Sequence, residues 1–169
     1  MTKPVFLSPD SERHLDVQYR GSGYSPIAGY PRSRSKELMM EMIKESNIKI
    51  SDITKRIPKE EFIKEGQSSK CILSPFGWGE ICGRDFEAFV YGGCMIKQDM
   101  SHCITYPDAY QPGITYIPLK WDFSNFKDVL LKAASPEYKE VAKKAQEYYK
   151  HFFSVEGRKD FAKHVVSEL

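Results

Sequence analysis

Residues 70–97 contain two short apolar runs separated by a segment with helical features, and this arrangement constrains the fold more than any other. The runs KCILS (70–74) and CMIK (94–97) have the length and composition of buried strands. The segment between them predicts a helix over 80–91, and the Gly-Gly pair that follows predicts where the helix ends. A strand, a helix and a second strand in this order favour parallel pairing of the two strands.

Further segments extend this alternation along the chain. The other predicted strands are 15–19 (LDVQY), 47–51 (NIKIS) and 114–118 (ITYIP). The other predicted helices are 35–45, 58–65, 124–133, 136–152 and 156–167. The pattern predicts an α/β fold, a Rossmann-like doubly wound parallel sheet with helices on both faces and terminal helices over 135–169. A length of 169 residues suits one domain over 1–169.

Composition excludes several classes of protein. A hydrophobic fraction of 41% with 28% charged residues is typical of a folded globular protein. The net charge of +2 gives no support for nucleic-acid binding. No apolar run has the roughly 20 residues that span a bilayer, and no signal peptide is recognisable. We therefore expect a cytoplasmic protein. The four cysteines lack the spacing of zinc ligands, which predicts free thiols and no metal site.

Three charged residues in the predicted helix suggest a binding site. At about 100° per residue, Glu80, Arg84 and Glu87 share one stripe. Upstream, Gly77 and Gly79 expose backbone at the helix N-terminus, where N–H groups and the helix dipole favour an anion. Arg84 would bind a phosphate and Glu87 the hydroxyls of a ribose, so the stripe is compatible with a nucleoside diphosphate.

A simpler interpretation of the same residues remains open. Glu80 and Arg84 form an i,i+4 pair, and Arg84 and Glu87 an i,i+3 pair. Such pairs contribute only a few tenths of a kcal/mol on an exposed helix, so the stripe would be a solvated charged face. The two glycines would then be ordinary turn residues.

Other positions also have two interpretations. Arg20, at the end of the first predicted strand, is a second phosphate contact or a surface arginine. Lys97 borders a sugar pocket or is a solvent-exposed charge at a strand end. Arg32 and Arg34 are further basic contacts or solvated residues before a helix. His102 is the best placed of the four histidines, with packing as its simpler role, and Trp78 stacks on a ligand or covers a loop.

The motifs of residues 70–126 carry a resemblance to a known family. They are a strand ending in S-P-F-G, an R-x-F-E-A helix, a G-G turn, an I-K-x-D-M-S-H strand exit and a W-D-F-S segment. Together they resemble the carboxy-terminal domain of GT-B glycosyltransferases of the "glycosyl transferases group 1" type. The resemblance implies a domain that binds a UDP- or GDP-sugar and takes part in metal-independent transfer to a carbohydrate acceptor, a step of glycan biosynthesis.

The resemblance also implies roles for individual residues. Glu87 matches the second glutamate of the family's E-x7-E motif, which holds the donor ribose. Gly77 and Gly79 match the glycine turn, and Arg84 matches a basic residue that faces the diphosphate. The sequence departs from the motif at the first glutamate, because Glu80 and Glu87 are separated by six residues instead of seven. The contact of Glu80 with the sugar, and a retaining course of reaction, therefore remain open.

A complete GT-B enzyme has two Rossmann-like domains, and this chain has room for one. The resemblance places the acceptor-binding half on a separate N-terminal domain or subunit, so we expect little transfer by the isolated chain. The aromatic segment YYKHFF (148–153) is a candidate surface for such a partner, with a core role as the alternative. A non-catalytic nucleotide-sugar-binding or protein-interaction module is the alternative function.

Overall fold

A computed structural model describes residues 4–21 and 29–169 of the protein. Within these residues, four strands and six helices follow one another along the chain. In chain order they are β1 (Leu15–Gln18), α1 (Tyr30–Glu45), α2 (Lys59–Gln67), β2 (Ser69–Leu73), α3 (Gly83–Tyr91), β3 (Cys94–Gln98), β4 (Ile117–Leu119), α4 (Phe126–Leu131), α5 (Pro136–Phe153) and α6 (Val155–Ser167). The segment 20–34, which its glycines and prolines predict to be a loop, lies partly outside the described residues, at 22–28.

The four strands form one sheet in the order β1-β2-β3-β4, and every neighbouring pair is parallel. Cys71 pairs with Val17 on one side and with Cys94 on the other, and Ile96 pairs with Ile117. The sheet confirms the predicted α/β fold, and its architecture is consistent with a Rossmann-like fold.

Helices cover both faces of the sheet, which explains why its strands are almost continuously apolar. Cys71 and Leu73 of β2 face the layer that contains α1 and α4, whereas Ile72 faces the layer of α2 and α3. Helix α5 contributes to both layers, through Val141 on the first side and Ala145 on the second. The core is therefore divided into two clusters by the sheet, as a doubly wound fold requires.

Several predicted boundaries agree with the structure within about two residues, which is the usual uncertainty of helix ends. These are the helices predicted over 58–65, 124–133, 136–152 and 156–167. The Gly-Gly pair ends α3 as predicted, because Gly92 takes the left-handed conformation with φ of 66°. The cysteines are free, with Cys71 and Cys94 buried and the other two partly buried.

The strand predicted over 47–51 is wrong. Only Ile50 bridges to Val17, and the Ser51 hydroxyl accepts from the backbone N–H of Tyr19 at 3.0 Å. A side-chain oxygen thus takes the place of the next backbone acceptor, and the segment ends as an isolated bridge at the edge of the sheet. The strand predicted over 114–118 begins only at Ile117, because a turn precedes it.

Two predicted helix starts are also wrong. The helix predicted from residue 35 begins at Tyr30, since Pro31 suits the first turn of a helix. The helix predicted from residue 80 begins at Gly83, because Cys82 is its N-cap and the Asp85 carboxylate accepts from the Cys82 N–H at 3.1 Å.

Of the helices in residues 4–21 and 29–169, none combines the length and apolarity that crossing a membrane requires.

Candidate functional site

The candidate site lies where the chain changes direction across the sheet. Helix α1 leads from β1 to the bridge at Ile50 on the outer side of β1, and α2 leads back to β2 on the inner side. The connections after β1 and β2 therefore diverge at the carboxyl ends of these strands. In open α/β sheets such a crevice is where ligands bind.

Arg84, the second residue of α3, reaches into this crevice. Its guanidinium is packed near the ring of Tyr19, 6.0 Å from the ring centroid, and donates to the carbonyl oxygen of Arg20. Its Nε atom is buried and has no hydrogen-bond partner in the described part of the chain. Burial lowers the pKa of Arg84, and the nearby positive charge of Arg32 lowers it further. No carboxylate of the described residues lies within ion-pair distance of this guanidinium, so its positive charge is compensated only at longer range, by Glu87.

Arg32, in the first turn of α1, is the second arginine of this site. A Cβ atom on Gly77 would lie 2.0 Å from its Nη2 atom, so the guanidinium packs directly on bare backbone. The Tyr19 hydroxyl donates to the Arg32 carbonyl oxygen at 2.7 Å, and burial raises the pKa of Tyr19 to about 12. The buried Nε of Arg32 also lacks a partner among the described residues. A Cβ on Gly77 would therefore displace the Arg32 guanidinium, whereas a Cβ on Gly79 would meet nothing within 4 Å.

A basic cleft of about 730 Å³ opens beside Arg32. Its described lining includes six basic residues and no acidic one: Arg20, Arg32, Lys36, Lys55, Arg56 and Lys59. The first turn of α1 likewise contains no acidic residue, although a helix N-terminus is stabilised by negative charge. Both observations indicate a region that is suited to an anionic ligand.

Glu87 lies one turn further along α3 than Arg84 and is half-buried. Burial raises the pKa of its carboxyl group, while the charges of Arg84 and of Lys59, in the cleft wall, oppose that shift. Among residues 4–21 and 29–169, no side chain donates a hydrogen bond to this carboxylate. Glu87 is therefore an available acceptor within electrostatic reach of Arg84 and Lys59.

Arg20 lines the cleft, but its charge is paired within the protein. Its side chain turns to α2, where Nη2 lies 2.5 Å from the Glu65 carboxylate and Nη1 donates to the Lys55 carbonyl at 2.6 Å. The hydrogen bond with Glu65 raises the pKa of Arg20. The structure thus compensates the charge of Arg20 within the protein, and its backbone carbonyl is the group that meets Arg84.

Glu80 is separated from Arg84 and Glu87. Because α3 begins only at Gly83, the predicted stripe of three charges does not form. The Glu80 carboxylate lies 3.8 Å from His102 Nε2, towards the ends of β3 and β4, and both side chains are partly exposed.

Lys97 is fully buried and lies inside the second core layer. Its ammonium group is 3.2 Å from the Asp85 carboxylate and 3.3 Å from the Ser74 carbonyl oxygen. Asp85 also accepts from the Ser74 hydroxyl at 2.6 Å and from the Tyr110 hydroxyl at 2.8 Å. Burial, with the adjacent carboxylate, raises the pKa of Tyr110. Lys97 therefore anchors the loop after β2 from below and does not line an open pocket.

Sequence reasoning missed the role of Asp85 and gave Arg32 little weight. One signal for Asp85 was present, since an acidic residue three positions after Cys82 fits the N3 position of a capping box. No local signal placed Arg32 against Gly77, because 45 residues separate them in the chain.

No group of three or more His, Cys, Asp or Glu side chains suited to a metal ion occurs in the described residues. No protein-family model matches the chain, and no curated protein matches it.

Proposed function

We propose that the chain is the donor-binding domain of a glycosyltransferase, which binds a nucleoside diphosphate sugar for transfer to an acceptor hydroxyl. The observation that carries this proposal is the partly buried Arg84 side chain beside the crevice between β1 and β2, whose buried Nε has no hydrogen-bond partner and whose guanidinium has no carboxylate ion-pair partner in the described residues. A buried, unpaired charge is costly, and a bound anion would compensate it.

The surrounding groups fit the parts of such a ligand. Arg84 and Arg32 would bind the diphosphate, close to the bare backbone of Gly77. Glu87 would accept hydrogen bonds from the ribose hydroxyls. The cleft beyond it offers the apolar side chains of Ile53 and Phe62 to a nucleobase.

This arrangement suggests how the domain would promote transfer. Negative charge develops on the leaving diphosphate, and guanidinium groups held in place by the fold stabilise it without reorganisation. Tyr19 fixes the backbone of Arg32 through its hydroxyl, and the carbonyl of Arg20 fixes Arg84. The motifs of residues 70–126 support the same activity through their resemblance to the GT-B donor domain.

The proposal is tested by thermal melting with UDP and GDP, each alone and as a hexose conjugate. At 100 times its dissociation constant a ligand stabilises a protein by about 2.7 kcal/mol, which corresponds to roughly 5–10 °C for a chain of this size. We expect Arg84→Met to abolish this shift. The melting temperature of the free variant should stay equal or rise, because the substitution removes a partly buried charge that has no ion-pair partner in the described residues and keeps the volume.

Arg34→Met is the matched control. Arg34 lies on the same helix as Arg32 and pairs with Glu37 on the surface at 3.1 Å. This variant should keep the full shift. If no nucleotide stabilises the wild type, or if Arg84→Met lowers the stability of the free protein and keeps its response to nucleotide, then Arg84 has a structural role and the proposal is wrong.

Transfer itself would need an acceptor-binding domain or subunit and a carbohydrate acceptor, so we expect the isolated chain to bind donor without measurable transfer. A protein-interaction module is the second candidate function. It is favoured by apolar side chains of α6 that remain exposed, namely Phe161, Val165 and Val166.

A further inference from the structure

Three aromatic rings meet at the carboxyl edge of the sheet, beyond β2, β3 and β4. Phe76 follows β2, His102 follows β3 and Trp121 follows β4. The centroid of the Trp121 ring lies 5.1 Å from that of Phe76 and 5.0 Å from that of His102, both in edge-to-face geometry. We call this group the aromatic platform.

The platform is held by the protein interior on one side and is exposed to solvent on the other. Phe76 is only 7% exposed, and its backbone N–H donates to the Gln98 side chain at 3.1 Å. Trp121 is 56% exposed although two rings hold it in place. An indole that is rigidly mounted and yet open to solvent is suited to stacking on a ligand.

The polar groups beside the platform limit the kind of ligand. The Glu80 carboxylate lies 3.8 Å from His102 Nε2, and both side chains are partly exposed. This carboxylate accepts hydrogen bonds from hydroxyls, and its negative charge disfavours a phosphate at this position. A neutral ring with an apolar face and a rim of hydroxyl groups fits this surface, which is the description of a hexopyranose.

The platform and the arginine pair share one loop. Phe76 belongs to the platform, and the Arg32 guanidinium packs against the next residue, Gly77. Neighbouring strands are about 4.8 Å apart, so the β3–β4 edge lies roughly 10 Å from the β1–β2 crevice. A sugar attached to a diphosphate in the crevice could therefore extend to the platform.

We propose that Trp121 stacks on the hexopyranose ring of the donor, and that the platform forms the sugar subsite. This inference rests on the proposed function, because the diphosphate at Arg84 and Arg32 is what brings the ring to Trp121.

Tryptophan fluorescence tests the inference directly, since the chain contains only two tryptophans. Trp78 is 88% exposed, so Trp78→Phe should fold normally and leave Trp121 as the sole reporter. In this variant, UDP or GDP alone should bind without changing the emission. The matching UDP- or GDP-hexose should change it, and should bind about two- to tenfold more tightly than the nucleotide.

Trp121→Ala, made in the wild-type background, should lose this gain from the sugar and keep the affinity for the nucleotide, as measured by calorimetry. Trp121→Phe should retain part of the gain. Phe161→Ala, which removes an exposed aromatic ring from α6, should leave both affinities unchanged. The melting temperature of each free variant checks its folding, and the fluorescence of Trp78→Phe answers the question even if Trp121→Ala fails to fold.

Each remaining outcome is decisive. An equal change in Trp121 emission with nucleotide alone would mean that the base or phosphate reaches the ring, and would overturn the sugar subsite. Nucleotide binding with no effect of the sugar on emission or affinity would overturn the subsite and leave the proposed function standing. If neither nucleotide nor nucleotide sugar binds, the proposed function fails, and the subsite fails with it.

Discussion

Arg84 and Asp85 are neighbours in the chain, yet only Asp85 has an ion-pair partner among the described residues. Asp85 is fully buried in a network in which it pairs with Lys97 at 3.2 Å and accepts hydrogen bonds from Ser74 and Tyr110. Arg84 has a buried Nε without a partner among the described residues and no ion pair. Both lie beside the loop that follows β2, one below it and one at its open side.

Under the proposed function, this difference separates a structural charge, Asp85, from a ligand-binding one, Arg84. A buried ion pair that is also hydrogen-bonded is complete, so a ligand adds nothing to it. A buried charge without an ion-pair partner lowers the stability of the ligand-free protein. A bound ligand that compensates the charge would explain its presence. The Asp85 network then has the task of holding the loop rigid, so that Gly77 and Arg84 keep their positions.

Removal of one half of the Asp85–Lys97 pair should have the largest effect on stability. Lys97→Met leaves the Asp85 carboxylate buried without its counter-charge, and we expect a loss of about 3–5 kcal/mol in the free energy of unfolding. Urea denaturation measures this loss. The double variant Asp85→Asn with Lys97→Met should recover part of it, because neither charge then remains buried.

A different result would remove the contrast between the two charges. If Lys97→Met folds with the stability of the wild type and loses affinity for nucleotide, Lys97 belongs to the binding site, as the sequence suggested. Lys127→Met is the matched control, since Lys127 pairs with Glu45 on the surface at 3.0 Å and such pairs contribute little.

Local patterns were sufficient to predict most of the fold. The apolar runs of β2 and β3 and the Gly-Gly pair between them fixed the strand–helix–strand unit, and the structure confirms the parallel sheet. The segment 47–51 failed because its alternation is real but one hydroxyl, that of Ser51, ends the pairing with β1. Alternation shows which side chains share a face, but it does not show how many backbone hydrogen bonds form.

The site was less predictable, because it depends on contacts between distant parts of the chain. Lys97 lies in phase with Met95, so its place on a buried face was readable, but its partner Asp85 was not. Arg20 was expected in the site on account of its position at a strand end; it lines the cleft, but its charge is paired with Glu65, 45 residues later. Arg32 meets Gly77 across a similar separation.

Substitution of the two glycines in the loop after β2 should have effects of intermediate size. Gly77→Ala would place a Cβ 2.0 Å from the Arg32 guanidinium, which must then move, whereas Gly79→Ala meets nothing. Because the end of an arginine side chain is flexible, we expect both variants to unfold within about 1 kcal/mol of the wild type. Nucleotide affinity, measured by calorimetry, should fall several-fold in Gly77→Ala alone. Equal affinities in the two variants would show that Arg32 does not depend on Gly77 for its function.

The smallest expected effect concerns the pH dependence of Glu87. Burial raises the pKa of its carboxyl group above the ordinary value of 4.5. Between 4.5 and the raised pKa, the folded protein therefore binds more protons at this site than the unfolded chain, so stability falls as pH increases through that interval. Glu87→Gln should remove this decrease, and urea denaturation at a series of pH values measures the difference between the two proteins.

Ligand binding should depend on the same group in the opposite sense. If the carboxylate accepts hydrogen bonds from a ribose, nucleotide binding favours its ionised form, and the affinity of the wild type should rise with pH over the interval in which stability falls. The titration of the nucleotide phosphates contributes equally to both proteins, so the difference between wild type and Glu87→Gln isolates Glu87. A Glu87→Gln variant with the same affinity and the same pH profile as the wild type would leave Glu87 as a half-buried surface carboxylate. The proposed binding site would then be confined to Arg84 and Arg32.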